Sequence, residues 1–231
     1  VIELINDQFG TWLSSPQALN GPAIPVQDLE KRVVTVQGPK PAMLMMAFPF
    51  NNPRNTDENL KLKLIDLLLS NSVAGLIDLN IVKSQKALYA GSFYFPLRDF
   101  NCHIFQAMPL EGQSLQDLEK LIWEQIDKIK KGDFDENNLK AILLNEKVNQ
   151  TKLFESNQGR ADALVKAFVL EIDWYTYTDF SKLENITKQE LVDFANKYYT
   201  ENHAVVYKEV GPLKPEQKVD KPQITPVELN R

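Results

Sequence analysis

The chain has 231 residues, enough for one large domain or two small ones. Hydrophobic residues make up 43% and charged residues 25%, which excludes a disordered chain. Lys+Arg 26 against Asp+Glu 31 leaves a charge of −5, without the basic footprint of a nucleic-acid binder. No apolar run reaches the roughly 18 residues of a membrane-spanning helix, and a lone cysteine, Cys102, rules out an internal disulfide framework.

The chain opens inside an apolar-periodic segment (Ile2, Leu4, Ile5, Phe9) with Gly10 where a helix would stop. No signal-peptide pattern precedes it. Residues 1–12 are therefore expected to be the remnant helix of a truncated domain start. Seven of the thirteen prolines lie between positions 16 and 53, and four more from 212 onward. Because proline fixes φ and removes a donor, regular structure should concentrate between these clusters. Residues 13–30 read as an extended connection, 31–211 as the folded domain, and 212–231 as a proline-rich linker to a following half.

Arg32–Val36 is a short strand candidate and Ala42–Phe50 a longer one, apolar on both faces as in a central strand buried on both sides. Thr56 opens a helix carrying Leu60, Leu64, Leu67 and Leu68 on one stripe, interrupted at Gly75. Leu76–Val82 adds a turn or two. Residues 86–109 predict a hairpin: Ala87–Phe95, a turn at 96–99, and Phe100–Met108 returning. Ser114 and Asp117 suggest a capping box ahead of Leu115, Leu118, Ile122, Ile126 and Ile129, with Gly132 as the stop. Asp135 caps the next helix (Leu139, Ile142, Leu143), and a further helix spans about 158–170. Thr187 and Glu190 form a second capping box, and the final strand is His203–Val210. The order β-β-α-β-β-α-α-α-α-β contains no repeating βα alternation. It predicts an α+β fold, with a mainly antiparallel sheet and helices on one face.

The residue types that carry chemistry are sparse. The only two histidines, His103 and His203, lie a hundred positions apart, whereas a zincin site needs two imidazoles at helical spacing with a carboxylate. Cys102 and His103 are strand neighbours and point to opposite faces. The plain expectation is one half-buried strand histidine and one surface histidine. No G-x-S-x-G, P-loop or G-x-G-x-x-G pattern is present. Asp133, Asp135 and Glu136 are explained by a helix start, and Lys128, Lys130 and Lys131 by a helix end. The sequons at Asn149 and Asn185 match by chance unless the chain is eukaryotic and secreted. The aromatics Tyr89, Phe93, Tyr94 and Phe95 are expected to pack in the core. Trp174, Tyr175 and Tyr177 are expected to pack near a helix end.

Taken in order, three stretches resemble one domain of the pitrilysin/insulinase-type inverzincin zinc metallopeptidases, whose members include insulysin, presequence protease and the mitochondrial processing peptidases. They are MLMMAFPFNNPRNTDENLKLKLIDLLLSNSVAGLIDLNIVKSQKALYAGSFYF, LQDLEKLIWEQIDKIKKGDFDENNLKAILLNEKV and LENITKQELVDFANKYYTENHAVVYKEVG. The resemblance covers about residues 31–211. It implies a two-layer sandwich with the ferredoxin-like repeat of the mitochondrial-processing-peptidase-like metallohydrolases. The family's catalytic domain carries an H-x-x-E-H helix and a downstream glutamate ligand, and this chain has neither. The resemblance is therefore to a non-catalytic domain, the second of the N-terminal half.

The resemblance implies that the chain has no catalytic residues and no metal ligands of its own. By the same likeness, zinc is expected in the parent's catalytic domain, where it would polarise the peptide carbonyl and activate water. The implied partners are that domain, the second half of the same polypeptide and a peptide substrate, with no nucleic acid and no membrane. The family's substrate-clamping Arg…Tyr pair belongs to another domain. Its positions fall here on Gln85 and Tyr89, and a glutamine supplies no cationic fork. Tyr89 remains a candidate substrate-binding residue, with core packing as its ordinary role. The bacterial periplasm is the expected compartment of the parent. Two alternatives stay open: a non-catalytic relative acting as an assembly scaffold or peptide-binding module, and an unrelated α+β binding module. An H-x-x-E-H upstream of Val1 would favour the protease over the scaffold, and a sheet without the ferredoxin-like repeat would favour the unrelated module.

Overall fold

The computed structural model describes residues 2–12, 31–50, 56–96 and 101–212. The elements are α1 (Ile2–Phe9), β1 (Arg32–Gly38), β2 (Met43–Phe50), α2 (Thr56–Leu69), a π-helical turn (Asp78–Val82), β3 (Tyr89–Pro96) and β4 (Asn101–Met108). They continue with α3 (Leu115–Lys131), α4 (Glu136–Glu155), α5 (Asn157–Val169), the short α6 (Trp174–Thr178) and α7 (Ser181–Glu184), then α8 (Lys188–Tyr198) and β5 (Ala204–Val210). The expected connection at 13–30, most of the tail at 212–231 and most of the hairpin turn at 96–99 lie outside the described residues.

The five strands form one sheet in the order β1-β5-β2-β4-β3. β5 pairs antiparallel with β2, β2 with β4, and β4 with β3, while β1 joins β5 in parallel. Without β1, the chain traces β2-α2-β3-β4-α3…-β5, the β-α-β-β-α-β unit of ferredoxin-like folds. The α+β reading thus holds down to its internal repeat, which removes the ground for the unrelated module.

Alternation along β2 places Leu44, Met46, Phe48 and Phe50 under the helices, with Met43, Met45, Ala47 and Pro49 on the other face. β2 is central in the sheet, but the expectation of burial on both faces is corrected. Its outer residues are only half-buried, because the helices that pack on the sheet cover the opposite side. On the covered face Phe48 is fully buried and meets Phe105, Trp123 and Tyr199 edge-on at 5.8, 5.4 and 5.0 Å. α2 buries Leu62, Leu64, Ile65, Leu68 and Leu69, a wider arc than the predicted stripe, in which Leu60 and Leu67 are only partly buried. The arc is wide because α2 packs against β3, α4 and α8 at once.

Local chemistry sets the element ends. Ser114 accepts from the Asp117 amide at 3.1 Å, but the Asp117 carboxylate takes the Ser114 hydroxyl at 2.6 Å, so the predicted reciprocal box is half-made. The Thr187–Glu190 box is complete. Gly132 ends α3 at φ +69°, a left-handed cap. Gly75 sits where a Cβ would lie 2.5 Å from the Leu69 carbonyl oxygen. Beside it the Asp78 carboxylate accepts from the Asn71 and Gly75 amides at 2.8 and 3.1 Å, which closes the bend after α2.

Candidate substrate-facing sheet surface

The side chains that the sequence singled out fall on two sides of the sheet. His103, on the covered face of β4, is fully buried rather than half-buried as expected. Its Nδ1 lies 2.5 Å from the Tyr199 hydroxyl and its Nε2 3.1 Å from Asp66 Oδ1. A carboxylate only accepts, so Nε2 carries the proton and Nδ1 accepts from the tyrosine. Ser92 donates to the same carboxylate oxygen at 2.7 Å. Burial, then the Asp66 charge, drives the Tyr199 hydroxyl far above its usual range and pushes Tyr94 up to about 12. The set resembles a catalytic relay in its residue types. It has no solvent access at His103 or Tyr199, and its groups are already mutually satisfied. Its role is to tie α2, β3, β4 and the end of α8 together.

His203 corrects the expectation of a surface histidine. It is fully buried, stacked on Phe48 at 4.9 Å and edge-on to Trp123 at 5.2 Å. Nδ1 donates to the Thr200 carbonyl at 3.0 Å, and Nε2 is buried without a hydrogen-bond partner among the described residues. Burial lowers the histidine's pKa. No local pattern signals this, because the residue stands one position before β5, where the chain turns under the helical layer.

These residues do not fit zinc. His103 spends both ring nitrogens on protein partners, Cys102 points to the opposite face, and His203 is enclosed by aromatic rings. Among the described residues no three His, Cys, Asp or Glu side chains come together as metal ligands.

The opposite sheet face is apolar, and no helix among the described residues packs over it. On the edge strand β3, Tyr89, Phe93 and Phe95 are 48%, 40% and 50% exposed, which corrects the expectation that they pack in the core. Tyr94, one position out of phase, lies on the helix side and is partly buried, as expected. The strand's alternation decides this: Tyr89, Gly91, Phe93 and Phe95 share one parity. The register carries the apolar surface inward. Tyr89 faces Met108, Gly91 faces Gln106, Phe93 faces Ile104 and Phe95 faces Cys102. Gln106 faces Met45, and Met45 faces Val206, which faces Val34. Cys102 stands half-buried on this face, its thiol pushed up to about 11 by desolvation. Gln85 precedes β3 in an exposed turn at φ +54° and gives Tyr89 no cationic companion. The sequence groups Tyr89 with Phe93 and Phe95 as one aromatic stretch but gives no sign that Met45 and Met108 share their face, which the strand register sets.

Elsewhere, Asp135 accepts from the Asn137 amide as the cap of α4, and Lys130 donates to the Tyr199 carbonyl at 3.0 Å. These charges are structural, as expected. Trp174 and Tyr177 stack at 6.3 Å, with Phe154 beside Trp174, whereas Tyr175 is 83% exposed and packs on little.

Residues 1–145, more than half of the chain, match the family described as the peptidase M16 inactive domain. The chain belongs to that family. The family is described as inactive, and zinc belongs to the catalytic domain of such proteases. No curated protein matches the chain significantly. Among solved structures, a protease from Helicobacter pylori shares the fold at TM-score 0.83 with 19% identity, over 90% of this chain and 51% of that one. The M16 inactive domain from Pseudomonas fluorescens aligns at TM-score 0.69 with 14% identity, over 84% and 48%. The periplasmic protease PqqL from Escherichia coli aligns at 0.67 with 17% identity, over 91% and 24%. The M16 inactive-domain chain thus spans about half the length of the Helicobacter protease.

Proposed function

We propose that this chain is a structural domain that forms part of the substrate chamber of a zinc metalloendopeptidase acting on unfolded peptides, with the catalytic domain elsewhere in the same polypeptide. The observation that carries the reading is the apolar sheet face, over which no helix among the described residues packs. A folded chain seldom leaves a contiguous surface of aromatic and aliphatic side chains bare unless something binds there. Helices cover the other face of the sheet, so within the sheet itself the open face is the side available to substrate. Tyr89 stands on it beside Met108. With Gln85 where a clamping arginine would be needed, Tyr89 supplies contact area and a hydroxyl rather than stabilisation of a scissile carbonyl.

Two measurements test this. Metal analysis of the purified chain is expected to find no tight equivalent of zinc and no chelator-sensitive peptide hydrolysis; finding both would overturn the non-catalytic assignment. Cys102 is the chain's one thiol and lies on the open face, so its alkylation rate reports occupancy. An unfolded peptide in excess is expected to slow alkylation, and an unchanged rate would remove the wall reading.

A further inference from the structure

The open face differs in charge from the chain that carries it. The protein has 31 acidic residues and a net charge of −5, yet the outward positions of the five strands hold no aspartate or glutamate. They do hold two cations. Lys208 is engaged with the Gly38 and Pro41 carbonyls at 3.2 and 2.9 Å, and Arg32 lies at the far edge on β1. Three of the chain's four methionines lie on this face: Met108 opposite Tyr89 of β3, and Met43 and Met45 on β2, one strand further in. The fourth, Met46, is fully buried on the other side.

Methionine is unbranched and polarisable, so a methionine-lined surface moulds itself to side chains of different shape. Surfaces that accept many partners use this property. A surface built for a single rigid partner tends instead to fix its shape with packed, branched side chains.

From this composition we infer that the β3-β4-β2 part of the open face selects unfolded segments rich in aliphatic and aromatic residues, whatever their order, and discriminates against acidic ones. The inference rests on the chamber-wall reading and adds the substrate class to it. Apolar side chains of the peptide fill the space above Phe93, Ile104 and Met45. Among the described residues no uncommitted cation stands beside this part of the face, since Lys208 is held by backbone carbonyls and Arg32 lies on the far edge strand, so an acidic side chain there is desolvated without a partner.

The test places a benzophenone at the centre of the face, on a Gln106→Cys variant in a Cys102→Ser background of the full 231-residue chain. Gln106 is half-buried on the open face, between Gly91 of β3 and Met45 of β2. Three unstructured peptides of equal length are offered: one rich in Leu, Phe and Val, one with those positions changed to Ser, and one with them changed to Glu. The expected result is photo-crosslinking of the apolar peptide, with yields for the Ser and Glu versions lower by about tenfold or more, the scale of losing one or two buried side chains. Equal yields from all three peptides would leave the wall in place and overturn the apolar selectivity. Absence of any peptide adduct, or a crosslink between two copies of the chain that peptide does not displace, would overturn the wall reading and this inference together.

Discussion

The two faces of the same sheet differ in what their residues are bound to. On the covered face each large side chain has partners fixed by the fold: Phe48 among Phe105, Trp123, Tyr199 and His203, and His103 between Asp66 and Tyr199. On the open face Tyr89, Phe93 and Phe95 stand opposite Met108, Ile104 and Cys102 and remain exposed. The same alternating backbone presents both sets. One parity therefore carries stability and the other, under the proposed function, binding, and substitutions should separate the two.

The largest separation is expected between Phe48→Ala and Phe93→Ala. Phe48→Ala opens a cavity in a fully buried ring cluster and should cost about 3–5 kcal/mol in denaturant unfolding. Phe93→Ala should cost about 1 kcal/mol or less and still weaken peptide binding. Equal losses of stability would break the distinction. Next comes Asp66→Ala. It leaves the His103 Nε2–H and the Ser92 hydroxyl without their common acceptor, and about 2–3 kcal/mol should be lost. Thr187→Ala removes one side of the capping box of α8 and should cost about 1 kcal/mol, read as a shift of the denaturation midpoint.

The smallest effect is a pH dependence. Burial depresses the pKa of His203 in the folded chain below its ordinary value of 6.5. The folded state therefore binds fewer protons than the unfolded one. The stability this gives is fully present above about pH 6.5 and drains away as pH falls from there toward the lowered folded value. His203→Phe should flatten this part of the stability–pH curve, and an unchanged slope between about pH 6.5 and 5 would assign the acid sensitivity to other groups.

Much of the fold was legible because its signals are local. The Gly132 stop, the Thr187–Glu190 box and the spacing of Leu118, Ile122, Ile126 and Ile129 each depend on residues within a few turns. The ferredoxin-like repeat came from the resemblance, and the strand order bore it out. What could not be read was anything set by neighbours distant in sequence. The short segment ahead of β5 gives no sign that His203 turns under α3 onto Trp123. The buried group His103–Asp66–Tyr199 draws on three elements far apart along the chain, from position 66 to position 199, and no local pattern joins its members. The candidate surface was half-legible. Tyr89 was singled out, but the aromatic-rich stretch of β3 suggested core, because composition registers apolar character and not the side on which the helices pack.

The proposed function requires one face of this sheet to serve the fold and the other to meet substrate. The four methionines test it within a single sample, since Met43, Met45 and Met108 lie on the open face and Met46 is fully buried beneath the helices. Peroxide oxidation followed residue by residue by mass spectrometry should convert the first three to sulfoxide while Met46 stays reduced. Saturating apolar peptide should then protect the three together. Protection that spares them, or oxidation that fails to distinguish Met46 from the rest, would contradict the account.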